Sequence, residues 1–571
     1  VLALAAVAFA IGAIVGGQHS SSPQETLAAG FVSAWAHGDY AKMYGDLDAR
    51  TRSSTSASEF TDAYQRALVL ATATRVQTAG RARRAADDMV TVPVRVQTRL
   101  FGHLALSFSL HVVEEGEGAR VAWTPSMSFP GLRAGERLER RTFMPHRATL
   151  LARDGSVLAE GGGEGTRSSP LGTYADAVLG TVGPPPASRR TALEAEGVPA
   201  EASVGDSGLE LAMDSRLRGT PGGELLAAGP DGRRVLASVT ARPAPPLHTT
   251  ISPAVQREAV TALGGQLGGI VVMAPASGQI LAVAGLGLDG LQPPGSTFKM
   301  VTLTGVLQAH LASPHRVFPY ASYSTLDGVR LNNANGENCG GSLELAFAVS
   351  CNSVFAPLGV KLGAPRLVAT AEAYGFNHPT GVQGAPESTL PQASAIQGEL
   401  ELGSTAIGQG QVLATPLQMA LVAATIADGG ERPQSTFAAD SSAPAAPAVS
   451  ASVSRTVRRL MIGVVRGGTG TAAAIPGVTV AGKTGTAELK TVQPCGSGAQ
   501  EAAGEAKESS SESCQGGEAQ ASNTDAWFAA FAPASKPRVA LCVMLVKDGA
   551  GGETAAPLAR TVMEAALRAV R

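Results

Sequence analysis

The chain is poor in cysteine and lacks a charge imbalance. Five cysteines in 571 residues are too few to staple a fold, and none forms a C-x-x-C pair or joins histidines at zinc spacing. Neither a disulfide scaffold nor a structural metal is expected. The 45 basic and 47 acidic side chains give a net charge of −2, which offers no electrostatic footprint for nucleic acid. Charge is missing altogether from residues 1–17, which are nearly all apolar, and the first charged side chain is Glu25. A spanning helix takes about 20 apolar residues. Residues 1–17 therefore read as the trimmed end of a transmembrane anchor, with a linker at 18–25 and the remaining chain on the outer face of the cell membrane. A signal-peptide core is the rival reading.

The rest of the composition suits folded protein, with 44% hydrophobic and 16% charged residues. The length exceeds one ordinary core, so roughly two to four domains are expected. Leu27, Phe31 and Trp35 recur at helical spacing, as do Phe60, Tyr64 and Leu68. Val92, Val94 and Val96, then Leu104, Leu106, Phe108 and Leu110, alternate with polar or small residues, which predicts a half-buried antiparallel sheet packed on those helices. From 133 to 246 the chain is rich in Gly, Pro and Arg and reads as an irregular, extended domain, with a hairpin turning at Asp154-Gly155. From 247 to 571 the texture changes to alternating strands and helices. Strands are expected at 269–274, 279–285, 478–486, 526–532 and 538–546, with a closing helix at 555–570. Two stretches, 435–450 and 496–523, are low in complexity and read as disordered insertions.

The chemistry is concentrated in that last region. After Pro293-Pro294-Gly295 the chain runs Ser296-Thr-Phe-Lys299 and then into an apolar helix. This places Ser296 at a helix N-terminus, where backbone N–H groups favour developing negative charge. Lys299 lies three residues on, on the same helical face. A serine hydroxyl is a weak nucleophile, and a lysine kept neutral by burial or by another cation can act as its base. Two companions follow in order: Ser350-Cys351-Asn352, expected at the end of an apolar helix, and Lys483-Thr484-Gly485-Thr486, expected on a strand beside the cleft.

Those three motifs, with Ala406-Ile-Gly-Gln-Gly410 and Asp525-Ala-Trp-Phe-Ala-Ala-Phe-Ala-Pro533, resemble the class B penicillin-binding proteins, the D,D-transpeptidases that cross-link peptidoglycan. No comparable glycosyltransferase segment is seen before the domain in this sequence, which argues against the bifunctional class A architecture. The front region, ending Val121-Ala-Trp123-Thr-Pro-Ser-Met-Ser-Phe129-Pro130, is similar to the NTF2-like domain of the methicillin-resistance type. The resemblance implies a multidomain α+β chain: an NTF2-like domain at 26–132, a pedestal or dimerisation domain at 133–246, and a serine β-lactamase-like transpeptidase sandwich at 247–571. A five-stranded antiparallel sheet would form the centre of that sandwich. By the same resemblance Ser296, Lys299, Ser350, Asn352 and Lys483 are catalytic. Thr484, Gly485 and Thr486 contact substrate, Gly485 leaving room for it against the strand, and the N–H groups of Ser296 and Thr486 form the oxyanion hole. Peptidoglycan stem peptides and β-lactams are the expected ligands, the cell membrane and a membrane glycan polymerase the expected partners, and no cofactor is required.

Several readings compete with parts of this. Gly477 to Thr484 also fits the P-loop pattern, but Val478-Thr-Val480 predicts strand where a phosphate loop is needed. A D,D-carboxypeptidase or β-lactamase shares similar motifs and would send water to the acyl-enzyme, with Glu399 and Glu401 as carboxylates between the second and third motifs. A non-catalytic β-lactam sensor or scaffold is the other rival. Cys495 and Cys514 form one candidate disulfide in an oxidising compartment, Cys339 and Cys351 a second, and Cys542 reads as simply buried.

Overall fold

The computed structural model describes residues 21–86, 88–116, 118–161, 167–441, 443–488 and 524–570. The expected anchor and the Cys495/Cys514 pair lie outside the described residues. Among the described residues no helix is long and apolar enough to cross a membrane. The chain divides into two compact units, one of residues 1–147, 183–204 and 218–244, the other of 148–182, 205–217 and 245–571. The stretch 133–246 is thus shared between the two units.

In the first unit, helices α1 (Pro23–His37) and α2 (Ala57–Leu70) each begin with a Ser-x-x-Glu capping box, Ser22 with Glu25 and Ser56 with Glu59. Each box satisfies N–H groups that the first turn leaves unpaired. Strands β1 (Ala73–Thr78), β2 (Arg83–Ala86), β3 (Met89–Thr98), β4 (His103–Glu115) and β5 (Gly118–Val121) form a sheet of order β1-β3-β4-β5, with β2 also on β3. Period-two patterning sends Val90, Val92, Val94 and Val96 into the core and leaves Arg95 and Gln97 in solvent. Phe60 sits among Phe31, Tyr44, Tyr64 and Trp123, mostly edge to face, and the Trp123 indole N–H donates to the Tyr64 hydroxyl at 3.2 Å. A smaller sheet of Arg137–Phe143, Gly222–Gly229 and Gly232–Val239 belongs to the same unit.

The second unit centres on strands β6 (Gly268–Met273), β7 (Ile280–Gly285), β8 (Ala481–Glu488), β9 (Thr524–Ala532) and β10 (Val539–Leu545), all antiparallel in the order β7-β6-β10-β9-β8. Helices α3 (Pro253–Leu263) and α10 (Ala555–Ala569) cover one face, and the fully buried α8 (Pro416–Ala427) covers the other. Between the first hairpin and α8 lie α4 (Lys299–Gln308), α5 (Leu343–Ala348), α6 (Asn352–Leu362) and α7 (Gly398–Ala406); α9 (Ala451–Gly467) follows α8 and packs on β8. The hairpin expected at Asp154-Gly155 is present, joining Leu150–Leu151 to Val157–Ala159.

One expectation is corrected. Of residues 435–450, all but 442 are described and they are ordered. Their apolar residues are mostly alanine, yet Phe437 and Val449 are buried and the backbone borrows its partners from elsewhere. Thr436 accepts from the Ile280 N–H at 2.9 Å, Phe437 accepts from the Thr250 N–H at 2.9 Å, and Ala446–Pro447 pairs with Glu431–Arg432. Arg216 adds an ion pair to Asp440 at 2.8 Å. Composition alone does not register such borrowed order.

Candidate active site

Ser296 sits in a single 3-10 turn, Gly295–Phe298, that runs directly into α4. Gly295 has a positive φ of 50°, its N–H donates to the Gly408 carbonyl at 2.9 Å, and a Cβ at Gly408 would fall 2.1 Å from the Gly295 carbonyl oxygen. Two glycines in contact therefore fix the turn that presents the serine. Thr297 tightens it by donating its hydroxyl to the Pro294 carbonyl at 2.6 Å.

One turn on, Lys299 is fully buried, with Nζ 3.0 Å from Ser296 Oγ. The same nitrogen reaches the Ser350 carbonyl at 2.6 Å, Asn352 Oδ1 at 2.6 Å and Ser350 Oγ at 3.3 Å. Burial, and secondarily the nearby Lys483 ammonium, hold its pKa well below the usual lysine value. Lys483, also fully buried, lies on β8 with Nζ 2.8 Å from Ser350 Oγ and 3.0 Å from the Thr484 carbonyl. Burial pushes its pKa down to about 7. The Ser350 hydroxyl therefore joins the two amines, and a continuous path runs from Ser296 Oγ through Lys299 to Ser350 and Lys483. The rings of Phe355 and Phe347 stand 5.8 Å from Lys299 Nζ and 5.6 Å from Lys483 Nζ, walling both amines from water.

The structure brings Ser296, Lys299, Ser350, Asn352 and Lys483 into one cluster, and it changes two local expectations. Ser350 lies just past the end of an apolar helix, as expected, but Asn352 belongs to the next one. Helix α5 stops at Ala348, Ser350 takes a left-handed φ of 61°, and Asn352 opens α6. This kink between two helices turns both the carbonyl and the hydroxyl of Ser350 toward Lys299. Gly485 is the second change. A Cβ there would meet the Pro294 carbonyl oxygen at 2.8 Å and Thr297 Cγ2 at 3.0 Å, so its missing side chain seats β8 against the serine turn rather than leaving open cleft. The Thr484 hydroxyl lies 2.5 Å from that of Thr469, and Thr486 Oγ1 accepts from the Gly551 N–H at 3.4 Å.

Sequence reasoning missed some supporting residues. Thr469 also donates its N–H to the Ala348 carbonyl at 3.1 Å, linking the end of α5 to β8. Its signal was the glycine cluster Gly467-Gly468-Thr469-Gly470, since a Cβ at Gly468 would lie 2.2 Å from the Ala348 oxygen. Asn332 accepts from Asn352 Nδ2 at 2.9 Å, and the buried Asn333 holds Ser353. Cys339 and Cys351 are joined as a disulfide, while Cys542 is a buried free thiol. Glu399 is exposed, and Glu401 accepts from the Gln397 N–H at 2.9 Å and the Gln411 amide at 3.1 Å, a local helix-capping role. The P-loop reading fails because Lys483 lies within a strand and no helix follows it before the end of β8. Among the described residues no cluster of His, Cys, Asp and Glu could hold a metal ion.

Comparison with known families matches residues 268–564 to the penicillin binding protein transpeptidase domain. The chain belongs to that family. Residues 22–136 match the NTF2-like N-terminal transpeptidase domain, and residues 161–246 the penicillin-binding protein dimerisation domain. The peptidoglycan D,D-transpeptidase PbpA of Mycobacterium tuberculosis is 32% identical over 385 residues, covering 62% of this chain and 69% of that protein. The peptidoglycan D,D-transpeptidase MrdA of Acinetobacter baumannii is 26% identical over 422 residues, covering 63% of this chain and 60% of its own. Among solved structures, PBPA from M. tuberculosis aligns with a TM-score of 0.55 at 27% identity, covering 74% of this chain and 98% of that one. The ceftriaxone acyl-enzyme complex of M. tuberculosis penicillin-binding protein A aligns with the same TM-score at 26% identity, again over 74% and 98% of the two chains.

Proposed function

We propose that this penicillin-binding protein is a peptidoglycan D,D-transpeptidase that works through an acyl-enzyme on Ser296 and is acylated there by β-lactams. The observation that carries the reading is a fully buried Lys299 amine 3.0 Å from the Ser296 hydroxyl, where burial lowers the pKa of the amine. Lys299 takes the Ser296 proton as Oγ bonds to the carbonyl carbon of the penultimate D-alanine of a stem peptide. The resulting oxyanion is held by backbone N–H groups, those of Ser296 and Thr486 being the candidates. As the peptide bond breaks, the Lys299 proton passes through the Ser350 hydroxyl to the leaving amine of the terminal D-alanine. An amine of a neighbouring stem peptide then attacks the ester, its proton returns by the same route to Ser296, and a cross-link replaces the bond that was broken.

The remaining residues have roles that follow from their positions. Asn352 orients the Lys299 amine. Lys483, whose ammonium burial destabilises, is favoured in its charged form by an arriving terminal carboxylate, since an opposite charge favours the ammonium. Thr484 and Thr486 offer hydroxyls for that carboxylate. An anchor in the uncharged stretch 1–17 would support a location on the outer face of the cell membrane, and the family resemblance supports a membrane glycan polymerase as partner.

The test is time-resolved labelling by a fluorescent penicillin, with and without Ser296→Ala. Stable label that the variant loses supports the reading. Rapid release of the label would make the protein a hydrolase, and label that persists in the variant would remove Ser296 from the mechanism.

A further inference from the structure

Ser350 and Asn352 owe their placement to groups on the side of the loop away from Lys299. Cys351 stands between them, and its sulfur is bonded to Cys339. Cys339 opens a short strand, Cys339–Ser342, paired antiparallel with Val317–Ala321. The next residue, Ser353, donates its N–H to Asn333 Oδ1 at 2.8 Å and its hydroxyl to the Ala321 carbonyl at 3.2 Å. Asn333 is 5% exposed, and its amide nitrogen donates to the carbonyls of Ala321 and Glu337, both at 2.8 Å. With Asn352 Nδ2 on the Asn332 carbonyl at 2.9 Å, residues 351, 352 and 353 are each tied to one platform built from residues 317–342. Ser350 itself is left in a left-handed conformation that a residue other than glycine keeps only when its surroundings impose it.

We infer that the Cys339–Cys351 disulfide, together with Asn333, is a positioning clamp for the Ser350–Asn352 loop, and that rapid acylation of Ser296 depends on the oxidised enzyme. The inference rests on the functional reading above for the reaction itself. The clamp touches no reacting atom and acts through Ser350 and Asn352. Once the sulfur bond is open, Ser350 can relax toward ordinary backbone angles. That carries its carbonyl away from Lys299, 2.6 Å distant in the clamped form, and its hydroxyl out of the path between the two amines. Water then reaches Lys299. Because burial is the main cause of that amine's low proton affinity, rehydration raises its pKa and leaves less free base at neutral pH.

Reduction by dithiothreitol opens the clamp in two exchanges. One thiolate of the reagent attacks a cystine sulfur and releases the other as a thiolate, and the second thiol then displaces the mixed disulfide. Two protein thiols result as the reagent becomes its cyclic disulfide.

The experiment measures the second-order rate of labelling by fluorescent penicillin from pH 5.5 to 10.5 for the full chain in three forms: oxidised, reduced and reoxidised. Alkylation and mass mapping of Cys339 and Cys351 confirm each state. Cys339→Ala/Cys351→Ala and Asn333→Ala chains, checked for cooperative melting, are measured beside them. The expected result is labelling about tenfold to a hundredfold slower in the reduced protein and the double variant. The acid limb of the profile should move to higher pH, and only the reduced wild type should recover on reoxidation. Asn333→Ala should slow labelling with the disulfide intact. If the double variant does not fold, the reduced wild type decides; if the buried bond resists the reagent, the variants decide. A disulfide that only stabilises the fold would lower the melting temperature and leave the rate and the acid limb where they were, which overturns the inference. Oxidised wild type that takes no label, or label that survives Ser296→Ala, would instead count against the functional reading.

Discussion

The described residues include two five-stranded antiparallel sheets, and they are covered differently. The sheet of β1 to β5 has one dry face and one wet face, so β3 alternates valines with exposed arginine and glutamine. In the sheet of β6 to β10, every residue of β6 and of β10 is buried, because helices lie on both faces. A one-sided sheet keeps its charges in water. A two-sided sheet with its helices makes an interior dry enough to hold two lysines at zero exposure, and there burial changes what a lysine is. The first unit uses its core for stability, through an aromatic cluster in which the Tyr64 hydroxyl oxygen satisfies the Trp123 indole N–H. The second gives up some stability at Lys299 and Ser350 to keep a base beside a nucleophile.

The sharpest way to break this contrast is Lys299→Met, which fills the space without a base. It should slow penicillin acylation by about a hundredfold to ten-thousandfold, the range for a general base, while circular dichroism shows a folded chain. The converse substitution, Phe60→Ala, removes the ring at the centre of four aromatic contacts. It should destabilise the first unit by about 3–5 kcal/mol in a denaturant titration, with the labelling rate per folded molecule unchanged. Survival of that unit at full stability would undo the claim that the cluster is its core.

Much of this was legible in the sequence, for reasons that differ between the two sheets. Alternation announced β3 and β4, and continuous apolar runs around Val271, Phe528 and Val543 announced β6, β9 and β10. The three-residue spacing of Ser296 and Lys299 needed only helical geometry. The left-handed Ser350, the seating role of Gly485 and the order of residues 435–450 were hidden because each is imposed by distant partners, Lys299, Pro294 and Ile280 among them. Asn333 could have been suspected only from its company, an Asn-Asn pair shortly before Cys339.

Smaller effects sharpen the contrast further. Asn352→Ala removes one acceptor from Lys299 and one donor to Asn332, and should slow acylation about tenfold, in line with the loss of one hydrogen bond to a charged or polarised group. Wild type and Lys299→Met should also differ in how stability depends on pH. Between its lowered folded pKa and the ordinary value of about 10.4, Lys299 is mostly neutral in the native state and charged in the unfolded state. The unfolded state binds more protons there, and wild-type stability rises relative to the variant as pH climbs toward about 10.4. Parallel melting curves across that range would contradict a buried neutral amine. The smallest effect is expected on the wet sheet, where Arg95→Ala should change stability by less than about 0.5 kcal/mol.

The most direct test of the central claim is the pH dependence of Ser296 acylation in the oxidised wild type, followed by the second-order rate of penicillin labelling. If Lys299 is held as free base by its dry surroundings, the acid limb will lie well below the ordinary lysine value of about 10.4, and the rate will be substantial at pH 7. A rate that is negligible at pH 7 and climbs only toward pH 10 would show an ordinary, hydrated lysine and contradict the account.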